Sequence, residues 1–146
     1  MKIKILPDFD MEFFMDRADL KKELLNRFDS FASEHPDGHQ KKKMNRYFVS
    51  GSGLCFAFEK NDVPAHIWCP MKVAAYVDGV EKIPYPASRL WEEKNPSGEK
   101  LYTRHSGIKA TKELRDIDLV RFTPSTLDEA ERVIEGLKKA AEDKIT

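Results

Sequence analysis

Six consecutive residues, Tyr102-Thr103-Arg104-His105-Ser106-Gly107, place an aromatic ring, a permanent cation, an imidazole, a hydroxyl and a glycine side by side. Arginine offers a planar fork of donors that matches phosphate or carboxylate. Histidine donates, accepts or shuttles a proton near neutral pH, and a glycine lets backbone approach a ligand closely. Lys100, Lys109, Lys112 and Arg115 surround the segment, opposed by Glu99 and Glu113. The local field is therefore positive and suits an anionic ligand. In a small enzyme, His105 would be the acid/base and Arg104 the anion clamp, although the spacing identifies no catalytic partner. The plain alternative is a solvated loop whose arginine and histidine bond backbone carbonyls.

A second cluster comprises His39, Lys41, Lys42, Lys43, Arg46, Tyr47 and Phe48. Three consecutive lysines before an aromatic strand can hold a phosphate backbone, with Tyr47 as a stacking platform; they can equally keep a loop soluble and a sheet edge unpaired. The third candidate is His66-Ile67-Trp68-Cys69. Strand alternation puts His66 and Trp68 on one face, as a surface for a base or sugar ring or as core. Trp91 has the same two readings, interaction surface or large core residue.

Several signatures are missing from the chain: the phosphate-binding P-loop, the dinucleotide glycine pattern, the zinc-protease His-Glu-x-x-His and the serine nucleophile elbow. Glu92-Glu93-Lys94 resembles the acid–lysine spacing of metal-dependent nucleases, but such a site needs a second acid on a neighbouring strand, and Glu92 falls in the short helix expected over 87–94. Cys55 and Cys69 form no Cys-x-x-Cys pair, and His35, His39, His66 and His105 are scattered; neither a metal site nor a cofactor is expected. Both cysteines lie in apolar runs, as buried thiols do. The 25 basic and 25 acidic side chains cancel, which disfavours a globally basic nucleic-acid binder and leaves a local basic face open. No run has the length of a membrane span, and Pro7 and Asp8 interrupt the only N-terminal apolar stretch, so a cytoplasmic protein that does not engage a membrane is expected.

The elements that must position these residues follow from periodicity. At 146 residues a single domain with its own core is expected. Ile3 and Ile5 alternate with lysines as a short strand. Leu20, Leu24, Phe28 and Phe31 share one helical face, predicting a helix over 19–33 that ends at His35-Pro36-Asp37-Gly38. Strands are predicted over 46–49, 54–58, 65–69, 72–77, 80–83 and 118–122, with Ser50-Gly51-Ser52-Gly53 and Asp78-Gly79 as turns. Short helical turns are predicted at 87–94 and 111–115. The last helix opens at Ser125-Thr126-Leu127-Asp128-Glu129, a capping-box pattern, and carries the stripe Leu127, Ala130, Val133, Ile134 and Leu137. The expected fold is α+β: an antiparallel, meander-like sheet of about five strands packed against an N-terminal and a C-terminal helix.

The function expected from these residues is binding of a polyanion, nucleic acid or a nucleotide. Lys41, Lys42, Lys43, Arg46, Lys100, Arg104 and Lys109 would contact phosphates, Tyr47, Tyr102 or Trp68 would stack, and His105 and Ser106 would add hydrogen bonds. This requires Arg104 and His105 to share a face with residues 41–46. The alternatives are a protein-interaction module, an inhibitor or accessory subunit of bacterial or phage type anchored by Tyr85, Arg89 and Trp91, and the small enzyme built on His105.

Overall fold

The computed structural model describes residues 16–40, 43–61 and 63–143. The strand expected at Ile3 and Ile5, and Lys41 and Lys42, lie outside the described residues. Helix α1 spans Arg17–Phe31 and passes directly into strand β1, Ala32–Glu34. Strands β2 (Met44–Val49), β3 (Cys55–Glu59) and β4 (Ile67–Pro70) follow as a meander, and a 3-10 helix occupies Met71–Tyr76. Next come β5 (Lys82–Tyr85), a 3-10 turn at Ala87–Arg89, and the two-stranded ribbon β6 (Glu93–Lys94) and β7 (Lys100–Leu101). Two four-residue helices, α2 (Ser106–Lys109) and α3 (Lys112–Arg115), lead to β8 (Leu119–Phe122) and helix α4 (Leu127–Glu142). The main sheet is antiparallel in the order β1-β2-β3-β4-β8-β5. The fold is the expected α+β type, with six strands in place of about five.

Each face of the sheet carries its own core. Strand alternation sends Tyr47, Phe56, Phe58, Ile67, Val120 and Phe122 to the face covered by the long helices. There Leu20, Leu24 and Phe28, at fourfold spacing on α1, are buried together with the stripe of α4. Phe28 is the hub: its ring centroid lies 5.3 Å from Tyr47, 5.1 Å from Phe56 and 5.3 Å from Phe58, the edge and tilted geometry that aromatic quadrupoles favour. The opposite face sends Met44, Cys55, Ala57, Trp68 and Leu119 against Ile108 and Leu114 of the two short helices.

Local sequence explains the element ends. The Asp16 side chain accepts from Asp19 N–H at 2.8 Å and caps α1. At α4 the Thr126 hydroxyl accepts from Glu129 N–H at 3.1 Å, while Glu129 reaches back to Ser125 N–H at 2.8 Å.

Three expected elements differ. The helix expected to reach residue 33 stops at Phe31, because Ser33 and Glu34 pair with Phe48 and Tyr47 of β2. The strand expected at 72–77 is the 3-10 helix over Met71–Tyr76: Val73 and Val77 are buried while Ala75 between them is exposed, which breaks strand alternation. The Asp78-Gly79 turn, with Gly79 at φ 74°, therefore joins no hairpin, and β5 pairs with β8 instead. The helix expected at 87–94 is a single 3-10 turn, after which Glu93 and Lys94 pair with Leu101 and Lys100.

Gly136 of α4 is where this 3-10 helix comes closest. A Cβ there would overlap Val77 Cγ2 and lie 3.6 Å from Val73 Cγ1. Gly136→Ala is therefore expected to lose about 1–3 kcal/mol through overpacking, outweighing the roughly 1 kcal/mol of helix propensity it gains. Phe28→Ala is expected to lose about 3–5 kcal/mol. Urea denaturation checks both, as a lower midpoint at an unchanged slope.

Candidate functional site

Arg104 is 5% exposed. Its Nη1 donates to Leu114 O and Arg115 O, each at 3.1 Å, and its Nη2 donates to Tyr85 O. Tyr102 OH donates to Arg115 O at 2.7 Å, and burial raises the pKa of its phenol. Arg46 is 6% exposed and is used in the same way. Its Nε donates to Gly38 O at 2.9 Å, its Nη2 to Asp37 O at 3.2 Å, and its Nη1 to Ala110 O and Thr111 Oγ1 at 3.4 Å. These two guanidiniums fasten loops and short helices to the sheet, so the expectation that Arg46 and Arg104 contact phosphates is corrected by their burial. The same holds for the expected stacking platforms. Tyr47 is buried against Phe56, with stacked rings 5.0 Å apart, and burial raises its pKa. Trp68 is buried in the second core.

The two basic clusters nevertheless meet. Lys43 Nζ donates to Ser106 Oγ at 3.2 Å, and Gln40 Nε2 to Gly107 O at 3.1 Å. A Cβ on Gly107 would lie 2.6 Å from Gln40 Oε1 and 2.9 Å from Met44 Sδ, so a side chain there would push both aside. The shared surface is thus formed by Lys43 and Ser106, with both arginines turned inward.

Beside it lies a polar group that sequence reasoning missed in part. Glu59, buried at the end of β3, accepts from Trp68 Nε1 at 2.7 Å and faces His105 Nε2 at 3.8 Å. His105 Nδ1 accepts from Gly107 N–H at 2.8 Å, so in the neutral ring Nε2 carries the proton and points at Glu59. The Arg121 guanidinium lies 5.7 Å from the Trp68 ring and 5.8 Å from that of Tyr85. On the same strands His66 Nδ1 meets Thr123 Oγ1 at 2.8 Å. Burial, and then the Arg121 charge, lower the His66 pKa. The signal for Glu59 and Arg121 was available: each is the single charge in an otherwise apolar strand.

Four further cations lie next to Lys43. A depression of about 530 Å³ opens between α1 and the β2–β3 end, and Arg17, Lys21, Lys22 and Lys60 line it over Leu25 and Phe58. Helical spacing places Arg17 and Lys21 one turn apart. Lys21 Nζ donates to Asn61 O at 2.6 Å and Val63 O at 3.0 Å, which fixes its charge at the rim. Lys60 N–H donates to Lys43 O at 2.9 Å and Lys60 Nζ to Gln40 O at 2.8 Å, so Lys60 joins the rim of the depression to the segment that carries Lys43. Farther along, Lys109 Nζ lies 5.5 Å from the ring of Trp91, which is 45% exposed. Lys100 is exposed on the ribbon strand β7. The sequence reading did not identify Arg17, Lys21, Lys22 or Lys60, because they become neighbours only when α1 packs across the sheet.

No protein-family model, curated protein or solved structure matches this chain. Among the described residues no helix is long and apolar enough to cross a membrane.

Two outcomes follow from these contacts. Arg104→Ala removes the arginine donors to Leu114 O and Tyr85 O, leaves Arg115 O to Tyr102 alone, and is expected to cost about 2–4 kcal/mol, whereas Lys43→Ala stays within about 0.5 kcal/mol; thermal unfolding of the two variants separates a clamp from a surface cation. The second concerns pH. Burial lowers the pKa of both His39 and His66 from the ordinary value of 6.5. The unfolded chain therefore takes up these protons first, and the stability held by the neutral rings is complete above 6.5 and lost as pH falls below it. Urea midpoints are expected to drop between about pH 7 and pH 5, and His66→Gln flattens that drop.

Proposed function

We propose that this protein binds a polyanion, nucleic acid in the first place, through the cationic end of its sheet. The observation that carries this reading is the gathering of Lys22, Lys60 and Lys43, with Arg17 and Lys21 beside them, at the end of the sheet where Lys43 meets Ser106. A chain of zero net charge that gathers its cations in this way creates a local positive potential without global basicity. Lys41 and Lys42 add two more charges to the same stretch of sequence. Phosphates would be held by these lysines as point charges, releasing counterions. Tyr47 and Trp68 are enclosed, so base stacking falls to Trp91, whose ring already carries the Lys109 ammonium. Catalysis by His105 has less support: its Nδ1 lone pair is taken by Gly107 N–H and its Nε2 faces Glu59.

The exposure of Trp91, just before the β6–β7 ribbon, together with that of Leu101 on β7, favours one second reading, a protein-interaction surface. Oligonucleotide titrations across a salt series test both. Single- or double-stranded DNA or RNA is expected to bind at low salt with an affinity that falls steeply as salt rises. Lys22→Ala and Lys60→Ala should each reduce the slope of log K against log salt by about 1. Trp91→Ala should weaken binding by about 1–3 kcal/mol if the indole stacks on bases, and leaves it unchanged if the ribbon serves a protein. Absence of binding at low salt, or binding indifferent to salt, refutes the polyanion reading.

A further inference from the structure

Apart from the cationic end, the structure brings together His35, Cys55 and Glu113 from three separate parts of the chain. One ligand atom from each lies within 4.8 Å of the other two, and His35 and Cys55 are buried. We propose that these three side chains form a binding site for a borderline-soft divalent metal ion of the zinc class, with a fourth position open to water or a small ligand.

The donor set favours such an ion. Thiolate and imidazole select zinc-like metals over magnesium or calcium, and three protein ligands with one open position is the arrangement of reactive rather than purely structural zinc sites. Charge balance points the same way. A thiolate and a carboxylate carry two negative charges, a neutral imidazole none, and one divalent ion makes the buried group neutral. Without an ion, burial and then the Glu113 charge push the Cys55 thiol up to about 12, so it stays protonated. Glu113 is ionised: burial works against this, but the hydrogen bond from His35 and one from the backbone outweigh it and hold its pKa below 4.5.

The framework around the group is rigid. His35 N–H donates to Arg46 O at 2.9 Å, and the His35 ring stacks on Phe48 at 5.3 Å. Phe48 in turn pairs with Cys55 across β2 and β3. His35 Nε2 lies 2.8 Å from Glu113 Oε1, and Asp37 N–H donates to His35 Nδ1 at 3.0 Å. The neutral ring therefore carries its proton on Nε2, in the position an ion would take. On binding, that proton moves to Nδ1, the Asp37 N–H gives up its bond there, and the Asp37 carboxylate, 3.9 Å from Nδ1 in the metal-free chain, closes in as the outer carboxylate that orients metal-bound histidines. The Cys55 proton leaves to solvent, so the net release is one proton per ion. Cys55 and Glu113 also line a depression of about 470 Å³ that includes Lys72, which gives the fourth position access to solvent and an anionic ligand a cation to meet.

Cobalt(II) titrated into the reduced, metal-free full chain tests the site. The expected result is a saturable near-ultraviolet sulfur-to-cobalt charge-transfer band, displaced by zinc(II), with about one proton released per ion. Cys55→Ser should abolish the band and Cys69→Ser should keep it. Glu113→Gln, at a partly exposed position, should keep the band while weakening cobalt binding about tenfold or more. No band in the folded wild-type chain, a band that survives Cys55→Ser, or an affinity untouched by Glu113→Gln would overturn the proposal. The Glu113→Gln arm decides the matter even if Cys55→Ser does not fold.

Discussion

Two buried guanidiniums hold one face of this protein together. Helices α2 and α3 are four residues each, far below the length at which a helix is stable by itself in water. Such short pieces leave nearly all of their carbonyls without intrahelical partners. Arg46 donates to Ala110 O and Arg104 to Leu114 O and Arg115 O, while the same two side chains reach Asp37, Gly38 and Tyr85 on neighbouring segments. Each arginine is thus a multi-donor bracket between a short helix and the rest of the fold. With the brackets in place, Ile108 and Leu114 can seal Met44, Ala57 and Trp68 from water, and the sheet acquires its second core. Without them that face of the sheet would be open, and neither His105 nor Glu113 would have a fixed position.

The same requirement explains what could be read from the sequence and what could not. The α+β class, α1, α4 and the β2–β3 hairpin all follow from local patterns: the fourfold spacing of Leu20, Leu24 and Phe28, the capping residues around Thr126, and the Ser50–Gly53 stretch. These depend on interactions within a few residues. The roles of Arg46 and Arg104 do not. Five donors in a planar fork suit a phosphate or a set of helix carbonyls equally well, and the choice is made by burial, a property of the whole fold. The plain reading of residues 102–107 is a solvated loop whose arginine and histidine bond backbone carbonyls; Arg104 makes those bonds, but buried. His105 instead accepts from the Gly107 N–H and faces Glu59. Trp68 was ambiguous for a similar reason: alternation gives the face on which it lies, but not that α2 and α3 cover that face.

Positions that sequence reading passed over became prominent through packing at a distance. Arg17 precedes the helix expected over 19–33, Lys21 and Lys22 lie outside its apolar stripe, and Lys60 follows the strand expected over 54–58. Only the docking of α1 by its opposite, apolar face turns these cations toward the β2–β3 end, next to Lys43. Burial of the Leu20–Leu24–Phe28 stripe therefore has an electrostatic result as well as a hydrophobic one, since it fixes where the cations of α1 must point. Likewise His35, Cys55 and Glu113 are remote in sequence and have no motif spacing. They meet because β1 and β2 pair, β2 and β3 pair, and α3 is bracketed over both.

The β2–β3 hairpin also keeps the two polar regions apart. Met44 pairs with Glu59 at one end of the hairpin and Phe48 with Cys55 at the other, a separation of about 13 Å for four residues of extended chain. Between them lie Arg46 and Ala57, opposite each other in register, with the Arg46 guanidinium already consumed by carbonyls. At that distance surface charges are largely screened at physiological salt, so phosphates at the Lys43 and Lys60 end and a divalent ion at the Cys55 end would neither compete for ligands nor strongly perturb each other. The two proposed sites would therefore share one small sheet, each following its own electrostatics, with the arginine between them serving the fold.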